Sequence, residues 1–155
     1  MKTYLGVRTC QAEPTTLLEF SKKYGAGGIQ DREDGSAQGY AVKNSLGEYC
    51  FAPKAAFEDE YLEMGYDPTI ISPSMVKAMR GDLSATKIDA NTAMVSATGL
   101  TGFRVYEVSS CVDPENFSME VGMARCEPKI DDVFWKCLGF TLQWAVNGLK
   151  GNRGE

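Results

Sequence analysis

The feature that most constrains the fold is a pair of strand-like segments joined by a short turn. Residues 92–98 and 103–108 are rich in β-branched and aromatic side chains, and the turn between them runs from Gly99 to Gly102. Two such runs separated by a few glycine-containing turn residues are typical of a β-hairpin. Because side chains alternate across a strand, the second strand has two predicted faces. One face carries Phe103, Val105 and Glu107, and the other carries Arg104, Tyr106 and Val108.

A long helical region is predicted after this hairpin. Asp113 is suited to cap a helix and Pro114 to occupy its first turn, so we expect the region to begin there. Pro128 lacks a backbone N–H, which predicts a kink or break near Glu127. Beyond it, apolar residues recur at helical spacing and predict a stripe that is the core of the second module, or partly an oligomer interface. The stripe comprises Ile130, Val133, Phe134, Cys137, Leu138, Thr141, Trp144 and Ala145.

The segment before the hairpin carries a further helix signal. Ser72 can cap the helix, Pro73 suits its first position, and Gly81 can close it. Between this helix and the hairpin we expect a loop that contains Lys87.

The first half of the chain holds the same kinds of element. The predicted elements are a strand at Lys2–Val7, a helix from Thr15 or Thr16 through Tyr24, a hairpin of residues 39–42 and 48–51, and a helix from Lys54 to Met64 with Pro53 at its start. The chain is therefore expected to be an α+β protein with a long kinked C-terminal helix. We predict two small modules, residues 1–64 and 68–150, each with a β-hairpin and helices.

Composition narrows the functions that are open to the chain. The net charge is −5, whereas non-specific binding to DNA or RNA needs cations that neutralise phosphates. The absence of histidine removes the commonest general base. Five scattered cysteines without a C-x-x-C pair give no zinc spacing and indicate reduced thiols. No apolar run approaches the roughly 20 residues of a membrane span. We therefore expect a cytoplasmic binding protein, not an enzyme, with no metal, no cofactor, no membrane partner and no DNA or RNA polymer as ligand.

The second half resembles a known family in four motifs. They are Gly102–Glu107, Ser109–Phe117, Glu120–Gly122, and Trp135 with Leu138–Phe140. These motifs are similar to an N-G-F hairpin, a S-A-C-x-D-P-x-N-F turn, an E-I-G helix start and an I-W-x-L-x-G-[YF] close. That pattern is found in a family of small tailed-phage proteins that includes viral anti-CBASS proteins of the second type.

The resemblance implies a phage anti-defence protein that acts as a sponge. Such proteins bind cyclic di- and trinucleotide immune signals without cleaving them, and so keep them from effectors in the host cytoplasm. Members assemble as homo-oligomers, commonly hexamers, with ligand sites between protomers. The chain departs from the family where a basic helix start is expected. Met123, Ala124 and Glu127 occupy basic positions there, which leaves Arg125 as the cation of that segment.

The first half resembles a recurrent phage module that precedes anti-defence domains. The resemblance rests on the opening Lys2–Gly6 and on the blocks Gln38–Val42 and Tyr49–Tyr61. It implies an accessory module, with no activity assigned.

Candidate ligand groups follow from the chemistry of a cyclic dinucleotide. Cations can hold its phosphates, and aromatic or guanidinium planes can stack on its bases. The candidates are Lys87, Arg104, Arg80, Tyr106, Lys77 and Arg125. We expect Lys77 and Arg80 on the exposed side of their helix, and Trp135 in the core. The alternative function is an acidic protein–protein inhibitor of a host defence or regulatory protein, which the negative charge also suits.

Overall fold

Two antiparallel sheets, each of three strands, organise the chain. The computed structural model describes residues 1–25, 35–44, 46–65 and 67–149. The chain divides into two compact units, Met1–Glu63 and Met64–Glu155. Each unit combines one sheet with helices, so the predicted α+β class is confirmed. Within the described residues, no helix is both long and apolar enough to cross a membrane.

The first unit is a three-stranded sheet with two short helices. Its elements are β1 (Gln11–Thr16), α1 (Leu17–Tyr24), β2 (Gln38–Lys43), β3 (Tyr49–Pro53) and α2 (Lys54–Glu60). The predicted hairpin is confirmed, because β2 pairs antiparallel with β3. Thr16 caps α1 as predicted and forms a capping box with Glu19, in which each side chain bonds the other residue's backbone N–H.

Two expectations for the first unit are wrong. Lys2–Val7 forms no strand and lies almost entirely exposed. The strand is β1 instead, and it continues through Pro14, which pairs with Tyr40. Proline is tolerated there because β1 is an outer strand, where one row of backbone groups has no ladder partner. Helix α2 also ends at Glu60 rather than Met64, because Tyr61 turns to extended backbone and stacks on Phe57.

The second unit places a long helix across its sheet. Its elements are α3 (Pro73–Arg80), β4 (Leu83–Lys87), β5 (Thr92–Thr98), β6 (Arg104–Ser110), a 3₁₀ turn (Pro114–Asn116) and α4 (Met119–Asn147). The hairpin of β5 and β6 is confirmed, and Gly102 supplies the positive φ of 80° that its turn needs. Ser72, Pro73 and Gly81 delimit α3 as predicted.

The core of this unit lies between α4 and one face of the sheet. Cys126, Ile130 and Phe134 of α4 are fully buried with Val95 of β5 and Val76 of α3. Burial raises the pKa of the Cys126 thiol, which therefore packs as a neutral apolar group. A Cβ on Gly122 would lie 2.8 Å from the Cβ of Ala93, so only glycine lets α4 approach β5 this closely.

Three expectations for the second unit are corrected. The segment expected as a loop around Lys87 is strand β4, which pairs with β5 from Leu83 to Lys87. Asp113 and Pro114 begin a 3₁₀ turn, and α4 starts later, capped by Ser118.

Helix α4 also runs without a break through Pro128. Proline removes one hydrogen bond there, to the carbonyl of Ala124. Pro128 and Ala124 are both exposed, so water can satisfy that carbonyl while the buried face keeps the helix in place.

Candidate functional site

An open cleft lies where the end of β6 meets the start of α4. It encloses about 130 Å³. Its lining residues come from the β5 entry, the β6 end, the turn after it and the first two turns of α4. They are Asn91, Ser109, Ser110, Cys111, Asn116, Phe117, Ser118, Val121, Gly122 and Arg125. The S-S-C-V-D-P-E-N-F motif therefore supplies one wall and the E-V-G helix start another.

Local hydrogen bonds hold the turn that forms this wall. The side-chain amide of Asn91 donates to the carbonyl of Cys111 at 2.7 Å, and the Cys111 N–H donates to the carbonyl of Asn91 at 2.9 Å. The Asp113 carboxylate accepts from the Glu115 N–H at 3.0 Å, which starts the 3₁₀ turn. Ser118 then accepts from the Val121 N–H and caps α4. The wall is thus stabilised by the protein's own hydrogen bonds.

One predicted cation lines this cleft, and a second lies against one of its lining residues. Arg125 lines it and is exposed. The Lys87 ammonium lies 4.2 Å from the centroid of the Phe117 ring, and Phe117 lines the cleft. The register places Lys87, Ala93 and Ser109 in one row across β4, β5 and β6, on the face that carries α4. An anion in the cleft can therefore meet positive charge from β4 and from α4.

Arg104 and Tyr106 lie elsewhere, on the opposite face of the same sheet. Val105 is buried beneath α4, whereas Tyr106 is 52% exposed and Arg104 is exposed. The predicted alternation along β6 is therefore confirmed. The two residues share an open face with Val108, and the sheet separates them from Lys87 and Arg125. Within one protomer, these four candidates do not converge on one ligand.

Arg80 corrects an expectation about exposure. It is only 4% exposed, and its guanidinium lies 2.8 Å from Glu127 and 3.1 Å from Asp131 of α4. The buried guanidinium joins α3 to α4 through two partly exposed carboxylates rather than facing solvent, and Arg80 does not line the cleft. Lys77 is exposed on α3 as expected and does not line the cleft.

The apolar stripe of α4 divides into a packed half and an exposed half. Its last buried residue is Phe134. Trp135, expected in the core, is 36% exposed, and Phe140 is 68% exposed. The Phe140 and Trp144 rings contact each other at 6.2 Å between centroids. The end of the helix therefore leaves aromatic surface uncovered by the described part of its own unit.

Four of the polar residues that line the cleft were not identified from the sequence. Ser109, Ser110, Asn116 and Ser118 lie in or beside the turn motif, which was recognised only as a family signature. The motif's density of Ser and Asn is the signal that could have identified them. The described residues contain no group of three or more Cys, Asp or Glu side chains placed to hold a metal ion.

Comparison with known proteins gives one family. Residues 57–146, more than half of the chain, match the Phage protein (N4 Gp49/phage Sf6 gene 66) family. The match spans both strands of the β5–β6 hairpin, the turn motif and most of α4, and so contains the whole cleft. No curated protein and no solved structure matches the chain. The chain belongs to the Phage protein (N4 Gp49/phage Sf6 gene 66) family.

Proposed function

We propose that this phage-family protein binds and sequesters cyclic di- or trinucleotide immune signals without cleaving them. The cleft at the start of α4 is the observation that carries the proposal. Arg125, Phe117 and several hydroxyl and amide groups line it, and the Lys87 ammonium lies against the Phe117 ring. Those are the groups that a phosphate next to a nucleobase needs.

The size of the cleft bears on how such a ligand is held. Pockets that enclose a drug-sized ligand are typically about 300–1,000 Å³, and this cleft encloses about 130 Å³. It has room for one phosphate or part of one base, so the rest of a cyclic dinucleotide must bind outside it. A homo-oligomer in which another protomer completes the site meets this need. The exposed aromatic end of α4 supports such an assembly.

The groups in the cleft favour binding over cleavage. Its described lining includes hydroxyls, amides, one thiol and one guanidinium, and no carboxylate. General acid–base hydrolysis needs a group that exchanges a proton near neutral pH, within reach of the scissile bond. The lining therefore suits a site that holds a phosphodiester and leaves it intact.

Calorimetry with a panel of cyclic di- and trinucleotides tests the proposal. We expect tight binding by the wild-type chain. Lys87→Ala and Arg125→Ala should each weaken it about tenfold or more, because a charge-assisted hydrogen bond contributes roughly 1.5–3 kcal/mol. Lys136→Ala is the matched control, since Lys136 is an exposed cation of α4 outside the cleft. It should bind like wild type.

One outcome would contradict the proposed function, and another would contradict only the proposed site. If the wild-type chain gives no heat with any cyclic nucleotide, the sponge function is wrong. The alternative function, an acidic protein–protein inhibitor, would then be tested by measuring binding to basic host proteins. If the wild-type chain binds but Lys87→Ala and Arg125→Ala bind equally well, the function stands and the cleft is the wrong site.

A further inference from the structure

Strand β6 is a long outer strand without proline or lysine. Outer strands of soluble proteins are commonly short or carry proline or lysine, which discourages pairing with another chain. Strand β1 contains Pro14, β3 ends in Pro53, and β4 ends in Lys87. Strand β6 has seven residues, contains neither proline nor lysine, and is the longest outer strand in the described sheets. Its two charged side chains are Arg104 on the open face and Glu107 on the α4 face, where Lys129 lies 3.7 Å from the Glu107 carboxylate.

The free edge of β6 presents a regular row of backbone donors and acceptors. The Gly99 N–H donates to the Phe103 carbonyl at 2.8 Å, and the Cys111 N–H donates to the Asn91 carbonyl at 2.9 Å. In an antiparallel ladder, alternate residues of a strand bond the same neighbour. The odd-numbered residues of β6 therefore bond β5, and the backbone groups of its even-numbered residues point away from the sheet. Side chains of these same residues lie on the open face, where Tyr106 and Val108 are each 52% exposed.

We propose that a second copy of the chain adds its own β6 to this edge, antiparallel and about a two-fold axis. The two three-stranded sheets then form one continuous sheet. A two-fold contact uses the same patch on both copies, so the patch must complement itself. The donor and acceptor row of β6 does so in the antiparallel direction.

Charge and the length of the paired segment together favour one register for this pairing. Centring the axis on Glu107 would put two carboxylates opposite each other, which is unfavourable. Centring it on Val105 would pair only residues 104–106 of the two strands, and residues 107–110 of each strand would lie opposite no strand residue. The axis on Tyr106 avoids both problems, because it pairs Arg104 with Val108 of the second copy and Val105 with Glu107 of the second copy.

This assembly also gives Arg104 and Tyr106 a role, which rests on the proposed function. Around the axis, two guanidinium groups and two phenol rings gather on one open face. A cyclic dinucleotide has two phosphates and two bases with a similar two-fold relation. Residues that face away from the cleft within one protomer thereby form a second, symmetric ligand surface.

A proline at position 108 tests the edge contact directly. The Val108 N–H points away from β5, so Val108→Pro removes an edge donor without breaking a bond inside the unit. Val108→Ala shortens the same side chain and keeps the donor. We expect light scattering to give an even multiple of the protomer mass for wild type and for Val108→Ala, and half that mass for Val108→Pro. A wild-type monomer at micromolar concentration, or a Val108→Pro chain with wild-type mass, would overturn the proposal.

Cross-linking gives a second test that does not depend on the fold of the proline variant. In a background with the exposed Cys50 and Cys137 changed to Ser, Tyr106→Cys places its two thiols on the axis. The Cα atoms there are about 5.5 Å apart, within disulfide range. Val108→Cys is the control, because its two copies are offset by about 13 Å along the strands. Mild oxidation should give a covalent dimer with Tyr106→Cys and not with Val108→Cys, and equal or reversed yields would contradict the register.

These results separate the edge contact from the ligand. Mass and cross-linking report on β6 whether or not a cyclic nucleotide binds. Calorimetry of the wild-type chain reports on the proposed function whatever the assembly. If both hold, Arg104→Ala should lose the nucleotide bound at the symmetric surface, so that calorimetry gives fewer nucleotides bound per dimer while the mass is unchanged. Wild-type stoichiometry in Arg104→Ala would exclude the symmetric ligand surface.

Discussion

The two sheets of this chain have the same strand number and the same antiparallel pairing, but their cores differ. Among the described residues, Phe20 and Ala41 are the buried apolar side chains of the first unit. The second unit buries Val76, Val95 and Ile130 to 2% exposure or less, with six further apolar residues at 7% or less. The difference arises because the second sheet is covered by a 29-residue helix, whereas helices of eight and seven residues accompany the first.

Aromatic stacking takes the place of a deep core in the first unit. Tyr24 stacks on Tyr49 at 4.3 Å between centroids, and Phe57 stacks between Tyr40 and Tyr61 at 4.3 and 4.7 Å. Such pairs stabilise by about 0.5–1.5 kcal/mol each beyond the area they bury. The same three-stranded sheet is therefore stabilised by burial in the second unit and by partly exposed ring contacts in the first. We accordingly expect residues from about 68 onward to fold without the first unit.

The largest expected effect tests the deep core of the second unit. Phe134→Ala should destabilise that unit by about 3–5 kcal/mol, because it removes a 2%-exposed ring and leaves a cavity. Phe57→Ala, which removes a half-buried stacked ring from the first unit, should cost clearly less. Chemical denaturation followed by circular dichroism measures both. Equal losses of unfolding free energy in the two variants would contradict the proposed difference between the two cores.

A smaller effect is expected at the point where α4 approaches the second sheet. Gly122→Ala should destabilise by about 1–3 kcal/mol, because the new Cβ meets the Cβ of Ala93 at 2.8 Å. Gly139 lies on the same helix with no atom within 4 Å of an added Cβ. Gly139→Ala should therefore stabilise by about 0.5–1 kcal/mol through helix propensity alone. Thermal unfolding of the two variants should show shifts of opposite sign, and a stabilising Gly122→Ala would refute the close-approach argument.

The elements that sequence reasoning predicted well depend on nearby residues. The β5–β6 hairpin follows from the glycine-bounded turn between two strand-forming runs, and α3 follows from Ser72, Pro73 and Gly81. Each of these signals acts within a few residues, so a sequence displays it directly. Strand β4 was missed because Leu83–Lys87 is a short segment of mixed polar and apolar residues, which forms a strand by pairing with β5.

The parts that could not be predicted depend on distant partners. The burial of Arg80 depends on Glu127, 47 residues away along the chain. The separation of Arg104 and Tyr106 from Lys87 and Arg125 depends on which sheet face α4 covers. Cation type and local pattern identified these residues as ligand candidates, but only tertiary packing decides which of them meet.

The smallest expected effect concerns an exposed contact of the first unit. The Lys23 ammonium and the Tyr24 hydroxyl both donate to the Glu13 carboxylate and hold its pKa below the usual range. A carboxylate whose pKa is lower in the folded state than in the unfolded state stabilises the fold at pH values above its unfolded-state pKa. This stabilisation is lost as the pH falls through the folded-state pKa. Glu13→Gln should therefore lower the midpoint of thermal unfolding slightly at neutral pH, and the gap from wild type should close in acid. Glu63→Gln, at an exposed position of the same unit, is the control. A gap that is constant with pH would exclude the contact as its cause.

Recovery of the ligand after binding tests the central claim most directly. The protein is incubated with a slight molar deficit of each cyclic di- or trinucleotide, free nucleotide is removed by filtration, and the retained protein is denatured with heat and acid. We predict that at least one nucleotide is depleted from the filtrate and then released from the denatured protein in its intact cyclic form. Linear product would contradict sequestration and indicate an enzyme, and the absence of depletion for every nucleotide tested would contradict the binding function.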